Sequence, residues 1–264
     1  MNTLALLAAS GGDEFKAPGP ELFNFPPLFP GGPAWLTKPL FFGLFGALVV
    51  CAFAWSAFAK PKLVPRGMQN LGEVGYVFVR EQVARPFLGR DADRWMPLLL
   101  PLFFLIWVWN LMAVVPVIQF PVASHIAFPA VLALSIYVLK IYLGIKHQGL
   151  RYFTNMIPKG LPKATYILLV PIEYLSNFVL APFTHAVRLF ANMFAGHIIL
   201  AFFSLVGFWF LFEHPTPLGV TLGVVGVIMT IVMTGFELFI QFLQAFLFTM
   251  LAAMYLGGSL HAEH

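Results

Sequence analysis

Residues 183–200 read FTHAVRLFANMFAGHIIL, placing Arg188 in the middle of a run apolar enough to lie in a bilayer. A guanidinium at mid-bilayer costs roughly 3 kcal/mol on insertion scales and more than about 10 kcal/mol in simulations of an isolated helix. Snorkelling relieves that cost only near an interface. Two readings stand: a structural cation, paired within a helix bundle or reaching a headgroup, or a functional charge, which the cost of burial favours. In a helix of about 100° per residue, Thr184 at i−4 and Asn192 at i+4 share the arginine's face. His197, at i+9, points about 180° away and lies about 13.5 Å further along the axis. One helix therefore serves two sites.

A second polar row occupies the last apolar run. Glu237, Gln241 and Gln244 fall at i, i+4 and i+7, and Thr230 and Thr234 extend that face backwards. A carboxyl group buried there takes up a proton or finds a donor. For Gln241 and Gln244 a plain hydrogen-bond ladder between helices is an equal alternative. For Glu237 the ionisable group favours proton handling. Asn110, in WNLMAVVP, is read as a helix–helix hydrogen bond, and Gly219, Gly223 and Gly226 as packing positions. His185, three residues before Arg188, is expected at an interface, and Glu173 near a helix start, where it complements the dipole. His125, His214, His261 and His264 fall in links or the tail and receive no role. No His/Cys set has metal-ligand spacing, no glycine loop suits a phosphate, and no nucleophile–base pair stands out. No metal, cofactor or catalytic residue is expected.

The elements that must hold these residues emerge from composition. Of 264 residues, 60% are hydrophobic and 10% charged, against about 25% charged in an average soluble domain. With a mean hydropathy of +0.86, the fold class is an all-α polytopic membrane protein. Residues 1–38 form an extracytoplasmic N-terminal segment, rich in Pro and Gly from residue 11 on, and 39–264 form a single membrane domain. Spans are predicted at about 39–59, 97–117, 127–145, 168–212 and 218–256, with a surface-lying helix within 66–94. The last two exceed the roughly 20 residues needed to cross, so they tilt or project, and Pro171 and Pro182 are candidate kinks. Seven of the 15 Lys and Arg lie in 60–94 and five in 140–163, while the links 118–125 and 213–217 have none. The positive-inside rule puts the basic links in the cytoplasm, the N-terminus outside and the C-terminus inside. The net charge of +4 is thus a sign of topology, and nucleic acid is not an expected partner. The single cysteine, Cys51, excludes an intrachain disulfide framework. No internal repeat is visible, which disfavours an inverted-repeat transporter.

RLFANMFAGH, with ELFIQFLQAFLFTMLAAMYL after it, resembles subunit a of F-type ATP synthases, and WNLMAVVP resembles that family's second-span motif. The likeness covers roughly residues 70–256 and implies that the two long final segments form a tilted hairpin along a rotating c-ring. It matches Arg188 to the arginine facing the ring carboxylate, Asn192 to the asparagine one turn on, and Gln244 to the glutamine of the last helix. Many members have an acid nine residues after the arginine and a histidine seven before the glutamine. Here His197 and Glu237 exchange those positions, an arrangement the family also uses. Ala113 departs from the aspartate that many members carry on the second span.

The resemblance implies a non-catalytic stator subunit of a bacterial plasma membrane. Two offset half-channels would pass protons to and from the c-ring, with Arg188, Asn192, His197, Glu237, Gln241, Gln244 and Asn110 in proton translocation. Expected partners are the c-ring proteolipids, the b-type peripheral stalk, the rest of the complex and lipid. The competing classes are an independent transporter or channel using Arg188 for an anionic solute, and a membrane-embedded enzyme.

Overall fold

The computed structural model describes residues 15, 17–23, 37–59, 61–115, 118–149, 151–155, 157, 162–213 and 215–260. Most of the N-terminal segment and the C-terminal tail, with His214, His261 and His264, lie outside them. The described residues form helices and no sheet. We number the longer helices α1 (Lys38–Phe58), α2 (Met68–Val79), α3 (Ala92–Val114), α4 (Ala127–Gln148), α5 (Lys163–Leu175), α6 (Ala181–Phe208) and α7 (Pro217–Leu260). Among the described residues, five helical runs are long and apolar enough to cross a membrane: Lys38–Phe58, Met68–Val114, Ala127–Gln148, Thr165–Glu213 and Pro217–Leu260. The chain is an all-α polytopic membrane protein, as its composition requires.

Leucine, phenylalanine and alanine dominate these helices, and their hydrogen-bonded backbones leave no polar group for lipid to meet. The surfaces are correspondingly greasy: on α1, Leu44, Leu48 and Trp55 are exposed. Polar interruptions mark the run ends. The positive-φ residues Gly67, Gly89 and Gly149 stand just before α2, after the turn Arg85–Leu88 and at the end of α4. Only glycine adopts that backbone without strain.

Within 66–94, where a surface-lying helix is expected, residues 68–91 are helical in short pieces that lead directly into α3. Their buried side chains Val79, Val83 and Leu88 give them an apolar face, while Arg80 pairs with Glu81 and Asp93, and Arg85 with Glu81, on the polar one. The fourth run is interrupted between Pro171 and Pro182 by a single wide π-helical turn, Ser176–Leu180, which joins α5 to α6. Glu173 lies near the end of α5 and not at a helix start.

The described residues divide into two units. The first takes the described part of Met1–Gly46 with Trp107–His125 and Phe190–Leu243. Its core holds Trp109, Met112, Phe120, Met193, Leu205 and Trp209. Gly226 packs directly on the α6 backbone, where an added Cβ would stand 2.6 Å from the Gly207 nitrogen, so small residues set the approach of α7 to α6 here. The second unit takes Ala47–Ile106, Ile126–Leu189 and Gln244–His264. Its core centres on Leu99, Phe103, Ile106, Leu189, Phe248 and Leu256, each essentially excluded from solvent.

Candidate functional site

In the first unit the polar row of α7 meets α3 and α6. Asn110 is buried on α3 and donates from Nδ2 to the Gln241 carbonyl, 3.2 Å away, so the expected helix–helix bond exists. Gln241 in turn donates from Nε2 to Glu237 Oε1 at 3.3 Å. Glu237 is only 6% exposed, and its carboxyl lies against Gly196 of α6: a Cβ at that position would stand 3.0 Å from Oε1. The absent side chain of Gly196 thus makes room for a carboxyl group beside His197.

His197 is half-buried. It lines a cavity of about 100 Å³ together with Ala113, Ser204, Thr230 and Thr234. Buried polar groups are almost always hydrogen-bonded. Yet Asn110 Oδ1, Gln241 Oε1, Glu237 Oε2 and His197 Nδ1 are buried with no protein partner among the described residues. This row is built for more hydrogen bonding than its own side chains provide, and water or a transferable proton is the chemistry that completes it.

Arg188 belongs to the second unit, near the midpoint of the run Thr165–Glu213. It is exposed, with no hydrogen bond or ion pair to any described residue. The exposed stripe containing it continues along α6 through Thr184, Ala191, Asn192, Ala195 and Ile199, at steps of one helical turn. Arg188 and Asn192 share that face, as their spacing predicts, while His197 looks elsewhere.

His185 and Tyr255 both lie within the electrostatic reach of Arg188. His185, expected at an interface, is instead 3% exposed, with its ring centroid 3.8 Å from that of Phe248. Packing decided its place: the helix turns that side chain onto α7, which period alone could not reveal. Gln244 is buried on α7 in the same unit.

A larger cavity of about 480 Å³ opens in this unit, lined by Lys140, Gln148, Tyr152, Glu173, Asn177 and Tyr255 among others. Lys140 is buried, with Nζ 4.7 Å and 4.8 Å from the ring centroids of Tyr137 and Tyr255. Sequence reasoning counted Lys140 only as a topology charge. The sign that it is more is its place eight residues before the end of α4, well inside an apolar span.

The sequence model of the ATP synthase A chain matches residues 40–257. The chain is 43% identical over 256 residues to the ATP synthase subunit a of Streptomyces lividans, covering 95% of this chain and 89% of the relative. It is 43% identical over 258 residues to that of Frankia alni, covering 95% and 88%. With that of Pseudarthrobacter chlorophenolicus the identity is 39% over 266 residues, covering 100% and 99%. Matched across its membrane spans by the family model and nearly end to end by these relatives, the chain belongs to the ATP synthase A chain family.

Proposed function

We propose that this membrane-sector subunit forms two half-channels and passes protons to and from a carboxylate on a rotating c-ring. The observation that carries the proposal is Arg188: a cation at the middle of an apolar run, exposed, and ion-paired with no described residue. A charge so placed needs a partner from another chain. The flanking Ala191 and Ala195 are small and exposed, which suits the close approach of a second helix.

The mechanism rests on charge in a medium that rejects it. A ring carboxylate must be neutral to face lipid and ionised to release its proton. Arg188 gives the ionised form a partner at the one place where it has to exist. Protons arrive from outside through the row of His197, Glu237, Gln241 and Asn110, whose buried and incompletely bonded polar atoms can order water. They leave to the cytoplasm through the cavity near Tyr255, with Asn192 and Gln244 flanking the exchange. The fixed charge of Arg188 keeps protons off a direct route, so each crosses only by riding the ring. One charge moving through 100 mV supplies about 2.3 kcal/mol, and that energy turns the rotor. ATP chemistry takes place on other subunits, and a b-type stalk holds this one still. The N-terminus lies outside and the C-terminus in the cytoplasm, by the distribution of basic links.

The test is Arg188→Ala in inverted vesicles, with an immunoblot showing that the variant inserts. ATP-driven proton pumping is expected to vanish, and wild-type pumping would overturn the proposal.

A further inference from the structure

The N-terminal segment precedes the residues that the family model matches and takes no part in the mechanism above, yet part of it sits against His197. Pro20–Phe23 forms a short 3-10 helix with Leu22 and Phe23 each only 8% exposed, although the flanking sequence is Pro- and Gly-rich. The two side chains cluster with Ala201, Phe194 and Ile198 on α6. The Phe23 ring centroid lies 4.6 Å from that of Phe194 and 6.0 Å from that of His197, which it meets edge-on. His125, on the link between α3 and α4, also comes close to the Phe23 backbone. Further upstream, Phe15 packs on Phe202, Trp209 and Phe210, continuing the same seam. Leu22 lines the cavity of about 100 Å³ whose other walls include His197, Ser204 and Thr230.

We propose that the Pro20–Phe23 turn is a wall of the outer proton inlet, with Leu22 bounding its aqueous path and Phe23 positioning the His197 ring. This rests on the reading of His197 and Glu237 as the inlet. An apolar wall beside a polar row does physical work: it holds water to one file against the titratable groups and keeps the imidazole from turning away. Without the segment the same groups would open to lipid or to bulk water, and neither orders a proton path.

The test replaces Cys51 by Ala and then introduces Leu22→Cys, Ser204→Cys or Leu48→Cys singly in the assembled synthase. Intact cells are treated with a cationic, membrane-impermeant methanethiosulfonate reagent. ATP-driven proton pumping is then measured in inverted vesicles prepared from them. A fixed positive charge in a narrow proton path is an electrostatic barrier. Leu22→Cys and Ser204→Cys are expected to lose at least about fivefold in pumping, restored by dithiothreitol, because an added cation blocks cations in a confined pore. Leu48→Cys, exposed on α1, is expected to keep its activity.

Loss at Ser204→Cys with none at Leu22→Cys would overturn the wall while leaving the inlet intact. No loss at either would overturn both. Should Leu22→Cys be inactive before treatment, Phe23→Cys carries the same readout. Phe23→Ala is expected to shift the outer-pH dependence of ATP synthesis with Phe23→Tyr restoring it, whereas an unchanged pH profile would deny Phe23 its positioning role.

Discussion

At the scale of single residues, the arrangement turns on where polar atoms are left to be completed. Glu237 has one carboxyl oxygen bonded to Gln241 and the other bonded to no described residue, and the proposed mechanism uses that free oxygen for proton exchange. Glu237→Gln is expected to slow proton flux several-fold while leaving the amount of assembled complex unchanged. Measured passive conductance and ATP synthesis equal to wild type would reduce Glu237 to a packing role. Gly196 offers a subtler test. Its Cβ would stand 3.0 Å from the Glu237 carboxyl, so Gly196→Ala must push that group aside. Misplacing a reacting group by about 1 Å can cost two orders of magnitude, and a loss of about tenfold in pumping is expected. Unaltered pumping would show that the carboxyl has no required position. The sequence displayed the titratable pair, since period alone put His197 opposite Arg188 and Glu237 in line with Gln241. It did not display Gly196 as the reason a carboxyl fits, because that depends on which turn of α6 meets which turn of α7.

At the scale of elements, the five spans were legible because lipid imposes a simple rule on length and polarity, and the structure keeps all five. The excess length of the last two was legible too. What hydropathy cannot see is helical phase. The fourth run changes phase at the π turn Ser176–Leu180, where one extra residue is accommodated just before α6. Deleting Val179 should turn that π turn into an ordinary one and preserve part of the pumping activity. Deleting Val187, within α6, should rotate the C-terminal part of that helix by about 100° relative to its N-terminal part and abolish activity. Equal activity in the two deletions would contradict a phase-setting role for the turn. Close packing of α6 with α7 is the other hidden property. Gly226→Leu would force a side chain into the Gly207 backbone, an overpacking of about 1–3 kcal/mol or more, and should lower the amount of subunit in membranes. Normal abundance would mean the contact is looser than it stands here.

For the whole molecule, the sequence spoke clearly about class and family but was silent on how the chain's ends contribute. The Pro- and Gly-rich start reads as a loop, and four of its residues nevertheless dock on α6 through two apolar side chains. A pattern that short carries no period, so only tertiary contact reveals it. Lys140 was hidden for the opposite reason, as one more positive charge in a stretch, 140–163, already rich in them. Leu22 and Lys140 each line a cavity that the proposed mechanism uses as a proton path. The most direct measurement pairs Ala195→Cys, on the Arg188 face of α6, with a cysteine one turn from the ring carboxylate of the c subunit. Oxidation of membranes should yield an a–c disulfide dimer from this pair and none from Leu48→Cys on α1. Equal cross-linking from both positions, or none from Ala195→Cys in an assembled synthase, would contradict the claim that Arg188 faces the rotor.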